Sequence, residues 1–429
     1  MNESDPFDRT LVPAGLLALD LEALARRYGT PLFVYDEDDL RRRCREYVAH
    51  FGEGNVAYAS KAFLCRAMVN LVLEEGLHLD VATGGELHVA LRSGFPPERL
   101  VLHGNNKSDE ELTAALDARV GRIVADSFDE LDRLEALAAS RGATPRVLVR
   151  VTPGVEAHTH VFIETGTEES KFGFTVTGGV ALAAARRVVE SPGLTFAGLH
   201  AHIGSQIYVL ESYRRAVEIV IGLAVEIAAA TGATVDELNV GGGLGVRYLV
   251  DDPRRDVGEY AKALRGALDD ACTTARLGAP PSLMVEPGRS IAAPAALTLF
   301  RVGTVKRIPN GPTYVAVDGG MSDNPRPVLY GAGYEVFLPD RVDEARPLVA
   351  SIAGKHCEQG DIVVADAHLP GAVAVGDLLA VPVTGAYGYS MASNYNKVPR
   401  PAVVFVRDGE ARVVVRRETL DDLLCLDAD

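Results

Sequence analysis

Eight short apolar runs recur between residues 56 and 288, with helix-patterned segments between them. They are VAYAS (56–60), LHLDVA (77–82), LVLHG (100–104), RIVAD (122–126), RVLVRV (146–151), FAGLHAHI (196–203), ELNVGGG (237–243) and LMVEPG (283–288). Between them lie amphipathic stretches such as SDEELTAALDA (108–118) and DSFDELDRLEALAAS (126–140). Each opens with serine and acids, as a helix N-terminus should. Eight strands alternating with helices match the repeat count of a (β/α)8 barrel. An open doubly wound sheet is the structural alternative, and eight units without a ninth favour closure.

After about residue 290 the texture changes. LTLFRVGTVKRI, TYVAVDGG, DIVVADAHL, DLLAVPVTGAY and AVVFVRDGEARVVVRRE are β-rich, with an Asp-Gly hairpin turn at 408–409. The expected organisation is a barrel over 37–291 and an all-β, sandwich- or barrel-like domain over 292–429. The strand LFVYD (32–36) precedes the barrel count, so 1–36 is assigned to the β domain.

The formal charge of −16 argues against a nucleic-acid or anionic-membrane partner. RRRC (41–44) follows DEDD and reads as a solvated helix face. No apolar stretch approaches the ~18 residues that cross a bilayer, and the acidic start MNESDPFDRT is no signal peptide. The cysteines Cys44, Cys65, Cys272, Cys357 and Cys425 are odd in number and lack CxxC spacing. A reducing cytoplasm is expected, with neither a disulfide framework nor a metal site.

Polar residues that are costly on apolar strands gather at the strands' C-terminal ends. Lys61 follows strand 1, Asp80 is in strand 2, His103 ends strand 3 and Arg150 is in strand 5. His200 and His202 end strand 6, Gly241, Gly242 and Gly243 end strand 7, and Glu286 ends strand 8. In a closed barrel these ends form one rim, where barrel enzymes keep their chemistry. A lysine at a strand end is ordinarily a solvated side chain with its stem on apolar surface; in a partly desolvated pocket it becomes a nucleophile. The rim favours the second reading.

NVGGGLG (239–245) lets backbone N–H groups close on an anion, and EPGRS (286–290) sets a glycine and an arginine beside it. The loops after strands 7 and 8 are the usual phosphate seat in barrels. An amine at strand 1 and a phosphate at strands 7 and 8 are neighbours across the closure. Pyridoxal 5'-phosphate has that shape: an aldehyde for the lysine and a phosphate for the glycines. Glu286 is the candidate to hold its ring nitrogen protonated, and His202 the candidate to stack on its ring.

These motifs resemble, in order and over nearly the whole chain, those of the diaminopimelate decarboxylases, in the alanine-racemase-like fold type III of pyridoxal phosphate enzymes. The resemblance takes in YASKA (58–62), DVATGGEL (80–87), HGNNKS (103–108), EAHTH (156–160), SKFGF (170–174) and HAHIGSQ (200–206). It continues through NVGGGLG, EPGRS, DNPRPVLYGA (323–332), HCEQGD (356–361) and GAYGYSMASNYN (385–396). The chain departs from the family at Val161, where an acid is common, and at Gln359, where a serine is common.

The resemblance implies residue roles. Lys61 is similar to the lysine that holds the cofactor covalently, and His202 to the stacking histidine. Ser205, Gly243, Gly288 and Arg289 resemble positions that hold the phosphate or its loop, with Asp80, Gly242 and Glu286 also on the cofactor. Arg289, Arg326 and Tyr330 resemble the grip on the distal carboxylate of the substrate, and Glu358 the reader of its distal amine. Tyr387 is similar to a tyrosine reaching cofactor and substrate. Cys357 resembles a proton donor offered from the other subunit of a homodimer.

A diamino-dicarboxylic acid needs cations for its second carboxylate and an anion for its second ammonium. Arg326, Arg289 and Glu358 supply them, whereas two arginines would repel the bare amine of a lysine or ornithine. The implied reaction is decarboxylation of meso-2,6-diaminopimelate to L-lysine, the last step of lysine biosynthesis, with Cys357 as acid. Its polar setting between His356 and Glu358 speaks against an inert buried thiol. Outside this context RPVLY (326–330) would pass for a strand with one exposed arginine.

Three rivals stand beside this reading. One is a decarboxylase of the same fold for carboxynorspermidine, an ornithine- or arginine-like substrate, or a carrier-bound one. A racemase would need a second acid–base residue, commonly tyrosine, on the opposite face. A non-catalytic cofactor carrier would resemble a barrel alone.

Overall fold

The structure is a computed structural model that describes residues 6–155 and 169–428. The motif EAHTH and Val161 lie outside the described residues. The chain divides into two compact units. One comprises Cys44–Gly245 and Arg255–Gly288; the other comprises Met1–Arg43, Val246–Arg254 and Arg289–Asp429.

The chain's first strand, β1 (Leu32–Asp36), belongs to the second unit. The barrel strands follow: β2 (Ala57–Ala59), β3 (His78–Val81), β4 (Leu100–Leu102), β5 (Arg122–Ala125) and β6 (Arg146–Thr152). A short β7 (Phe174–Thr175) pairs in parallel beside the end of β6, and β8 (Thr195–His200), β9 (Glu237–Asn239) and β10 (Ser282–Met284) complete the set. All neighbours pair in parallel, in the order β10-β9-β8-β6-β5-β4-β3-β2. A parallel bridge between Val56 and Val285 joins the first strand to the last, so the sheet closes and the open alternative falls. Ala57, Val101, Val124, Leu148, Ala197 and Met284 form one apolar cluster contributed by six of the strands. That is a packed core, as such barrels have.

The helices between them start where the serines predict. Ser108 caps Asp109–Ala118 in a capping box with Glu111, and Ser127 caps Phe128–Arg141. RRRC lies in the helix Glu37–Phe51 but is not one solvated face: Arg42 is exposed, whereas Cys44 is buried and Arg41 is buried against Glu37 at 2.8 Å.

The second unit is built on a mixed sheet. Its later strands are β11 (Ala296–Arg307), β12 (Thr313–Val317), β13 (Leu348–Ala353), β14 (Ile362–Leu369), β15 (Leu378–Pro382), β16 (Ala402–Arg407) and β17 (Glu410–Val415). They run in the order β14-β13-β12-β11-β1-β16-β17, with β15 on β11. β1 pairs antiparallel with β11 and parallel with β16. Asp408 and Gly409, both at positive φ, turn β16 into β17 as the Asp-Gly pair predicts. RPVLY is not a strand. Residues Arg326–Tyr330 form a short helix with proline in its first turn and Gly331 at φ 60° behind it, and Arg326 is buried.

Candidate active site

The strand ends of the barrel carry a connected set of charges centred on Glu286. Its Oε1 accepts from Nε2 of His103 at 2.8 Å and Nδ2 of Asn239 at 2.7 Å, and its Oε2 from Nε2 of His200 at 3.2 Å. All four side chains are buried. Burial pushes the Glu286 carboxyl up, but the two histidines and their hydrogen bonds outweigh it and hold the group well below the usual range. Glu286 is therefore an anion.

Asp80 lies 3.8 Å from His103 on the other side. Burial, with the nearby Glu286 charge, pushes it up to about 6, against the pull of His103 and Lys61. His103 itself is lowered by burial and raised more strongly by Asp80 and Glu286, so it keeps its proton above the ordinary histidine range. His200 goes the other way, to about 4, chiefly through burial. As the neutral Nε2–H form it leaves Nδ1 buried without a hydrogen-bond partner among the described residues.

Lys107 braces this rim from below. Its buried amine donates to the carbonyls of Gly104 and Val124 and to Glu130, each at 2.7 Å, tying the ends of β4 and β5 together. Arg150 is buried, 3.7 Å from Asp126 and 4.3 Å over the ring of Phe172.

Lys61 sits in a single 3-10 turn, Ser60–Ala62, directly after β2. Its side chain is exposed among the described residues, whose packing alone does not form the desolvated pocket that the sequence suggests. The EPG segment abuts that turn: Ala59 N–H donates to Pro287 O at 3.1 Å, and a Cβ on Gly288 would lie 2.9 Å from the Ala59 methyl. Strand 1 and strand 8 thus meet where expected.

The glycine run lies beyond β9, in the loop. Gly241 and Gly243 take φ values of 67° and 106°, which side chains rarely adopt. A Cβ on Gly242 would stand 2.1 Å from Glu286 O, and one on Gly243 2.2 Å from Gly204 O. Gly242 N–H donates to Nδ1 of half-buried His202 at 3.2 Å, fixing its ring. Burial first, and then the Lys61 charge, hold His202 well below its ordinary range, so it is neutral. Ser205 is half-buried on the loop after β8.

These features fit a flat anionic cofactor with a basic ring nitrogen. The N–H groups of Gly241 and Gly242 are taken by Asn239 and His202, while Glu286 is fixed as an anion, a neutral imidazole lies beside the glycine loop, and Lys61 presents an exposed amine. Ser60 Oγ and His200 Nδ1 are buried polar atoms with no protein partner among the described residues. The barrel also holds His103, His200 and Glu286 within 4.8 Å, spacing that could suit a metal, but both histidines already bond the carboxylate.

In the second unit, Arg289 and Arg326 share one tyrosine. Arg289 Nη1 donates to Tyr248 Oη at 2.8 Å, and the Arg326 guanidinium lies 4.5 Å over the Tyr248 ring. Arg326 also bonds the Tyr334 hydroxyl, and Arg289 lies 4.7 Å over Tyr387. Both arginines are buried, and Arg326 Nε has no hydrogen-bond partner among the described residues. Tyr330 ends the helix that Arg326 begins and is half-buried. Cys357 and Glu358 are exposed on a loop between β13 and β14, beside buried His356.

Sequence reasoning missed Asn239, Tyr248 and Tyr334, and named His103 and His200 without the role of holding Glu286. A polar residue inside a three-residue strand was the available signal for Asn239. Tyr248 and Tyr334 carried none.

Residues 37–293 match the family model described as the pyridoxal binding domain of pyridoxal-dependent decarboxylases. The diaminopimelate decarboxylase of Mycobacterium tuberculosis (strain ATCC 25618 / H37Rv) is 52% identical over 421 residues, 96% of this chain and 94% of that one. The chain belongs to the diaminopimelate decarboxylase family. The Bacillus subtilis (strain 168) member is 48% identical over 414 residues, covering 95% of this chain and 94% of its own. The crystal structure of the M. jannaschii enzyme in complex with L-lysine superposes with a TM-score of 0.88 at 33% identity, over 96% of this chain and 94% of that one. Membership makes the chain a carboxy-lyase of the (β/α)8 type with an added β domain. No helix among the described residues is long and apolar enough to cross a membrane.

Proposed function

We propose that the protein decarboxylates meso-2,6-diaminopimelate to L-lysine and CO2, using pyridoxal 5'-phosphate, as a homodimer whose active sites are shared between subunits. The observation that carries the substrate is the pair of buried arginines around Tyr248, one with an unsatisfied Nε. A distal carboxylate satisfies such a pair, and a distal amine does not.

The cofactor, when bound, supplies the ring that takes up the electron pair left by departing CO2. Lys61 would supply the amine that holds the cofactor, and Gly242, Gly243, Ser205 and Gly288 would hold its phosphate. His202, neutral and fixed by Gly242 N–H, offers a flat apolar face. Glu286 stabilises positive charge at the ring nitrogen, with Asn239, His103 and His200 keeping it ionised. Asp80 lies on the same rim. Arg326, Arg289 and Tyr330 hold the distal carboxylate, Glu358 the distal ammonium, and Tyr387 approaches both ligands. Cys357 gives its proton to the carbon that has lost CO2 and regains one from solvent.

CO2 release from meso-diaminopimelate, ornithine, arginine, lysine and carboxynorspermidine tests the assignment. Turnover of diaminopimelate at least a hundredfold above the others is expected. Preference for a substrate lacking the distal carboxylate overturns it.

A further inference from the structure

The loop bearing Cys357 and Glu358 is held by side chains that lie far from it in sequence. His356 is buried, whereas residues 357–360 are exposed. Nε2 of His356 lies 2.8 Å from Ser322 Oγ, and Nδ1 lies 3.3 Å from Asn396 Oδ1. The same Asn396 oxygen accepts the backbone N–H of Cys357 at 3.1 Å. Asp361 closes the loop, accepting from Met321 N–H at 2.6 Å and His356 N–H at 2.9 Å. Its carboxylate occupies the space that a Cβ on Gly320 or Gly354 would need. Lys355 N–H donates to Gly319 O at 2.9 Å. The loop is thereby registered on residues 319–322, which run straight into Asp323–Arg326.

Asn396 is exposed and stands at φ 52°, a conformation asparagine tolerates better than most residues. Its carboxamide fills no core. One neutral oxygen collects the Cys357 N–H and the His356 Nδ1–H at once. An aspartate would accept the same two bonds but would set a negative charge beside the thiol and oppose its ionisation. A glycine would keep the backbone and release both bonds.

We propose that Asn396 is a positioning residue for Cys357: it fixes the thiol-bearing backbone, together with His356, in register with residues 319–322. The inference rests on the reading of Cys357 as the proton donor.

The test uses holoenzyme variants Asn396→Gly, Asn396→Asp, Cys357→Ala and the double variant Asn396→Gly/Cys357→Ala. Decarboxylation of meso-diaminopimelate gives kcat and KM, and the pH dependence of Cys357 alkylation by iodoacetamide reports the thiol directly. Asn396→Gly lowers kcat about tenfold with KM within about threefold, as a misplaced donor should. In the Cys357→Ala background the same change costs nothing more, because the group it positions is gone. Asn396→Asp brings kcat back to within about threefold of wild type and moves the alkylation midpoint to higher pH. Unchanged kcat in Asn396→Gly, a tenfold loss that persists without Cys357, or an alkylation midpoint in Asn396→Asp that stays at the wild-type pH overturns the proposal. Full activity of Cys357→Ala instead overturns the reading of Cys357 itself, and the positioning role with it.

Discussion

Nε2 of His103 lies 2.8 Å from Oε1 of Glu286, and a second carboxylate, Asp80, holds the proton on that histidine from the other side. A protonated imidazole between two acids is what lets a wholly buried glutamate stay ionised. His103→Gln keeps a hydrogen-bond donor and removes the charge. Glu286 then takes up a proton at higher pH, so the acidic limb of the kcat profile moves upward, and kcat at neutral pH falls roughly 10- to 100-fold. A pH–rate profile with an unmoved acidic limb would show that Glu286 does not depend on His103.

Lys61 is exposed at the rim while the amine of Lys107 is committed to three acceptors. Borohydride reduction of the holoenzyme should fix the cofactor to Lys61, read by peptide mass spectrometry. Lys61→Ala should lose the visible absorbance of bound cofactor. An adduct on Lys107 or Lys171 sinks the assignment.

Arg326 bears on the substrate and not on the cofactor. Arg326→Leu removes one charge-assisted contact with a carboxylate, costing about 1.5–3 kcal/mol, a fall of roughly 10- to 150-fold in kcat/KM for diaminopimelate. Cofactor retention on gel filtration should stay at the wild-type level. Activity that is unchanged argues for another substrate.

Sharing of sites between subunits is open to a complementation test. Lys61→Ala and Cys357→Ala are each made, shown to be nearly inactive, mixed in equal amounts and reassembled. With shared sites, about half the dimers are mixed and each carries one intact site, so roughly a quarter of wild-type activity returns. If both residues serve the same chain's site, nothing returns despite demonstrated subunit exchange.

His78, at the start of β3, makes stability depend on pH. Burial first, then the charges of Arg122 and Arg99, lower its pKa to about 4. A histidine depressed in the folded state leaves the unfolded chain to take up the proton first. Its contribution is present above about pH 6.5 and is lost as pH falls toward 4. Between pH 7 and pH 5 the His78→Gln variant should lose about 1–2 kcal/mol less than wild type in urea unfolding. Equal losses in the two proteins would mean that His78 titrates normally.

The barrel was legible because parallel strands buried on both faces read as continuous apolar runs, and the residues that break those runs, Lys61, Asp80, His103 and Glu286, marked its rim. What holds Glu286 was less legible. Asn239 occupies a three-residue strand next to glycines and looks like the start of a turn. The setting of the arginines was hidden for a different reason. Tyr248 in RYLV and Tyr334 in GYEV alternate like any strand residue, and their stacking on Arg289 and Arg326 is a property of tertiary packing alone. RPVLY misleads through its apolar content, although Pro327 and Gly331 bracket it as the two ends of a helical turn.

β1 has its two neighbours at residues 296–299 and 402–406, so it leaves the ribosome long before either exists. Every barrel strand is synthesised in that interval, and the barrel segment can close on itself while β1 waits with both edges unpaired. Leu32, Phe33, Val34 and Tyr35 are all fully buried at the end, which makes them an apolar strand on hold during translation. Chaperone dependence and inclusion-body formation in this protein should therefore respond to polar changes near β1, and to the rate at which the last thirty residues emerge, more than to changes in the barrel.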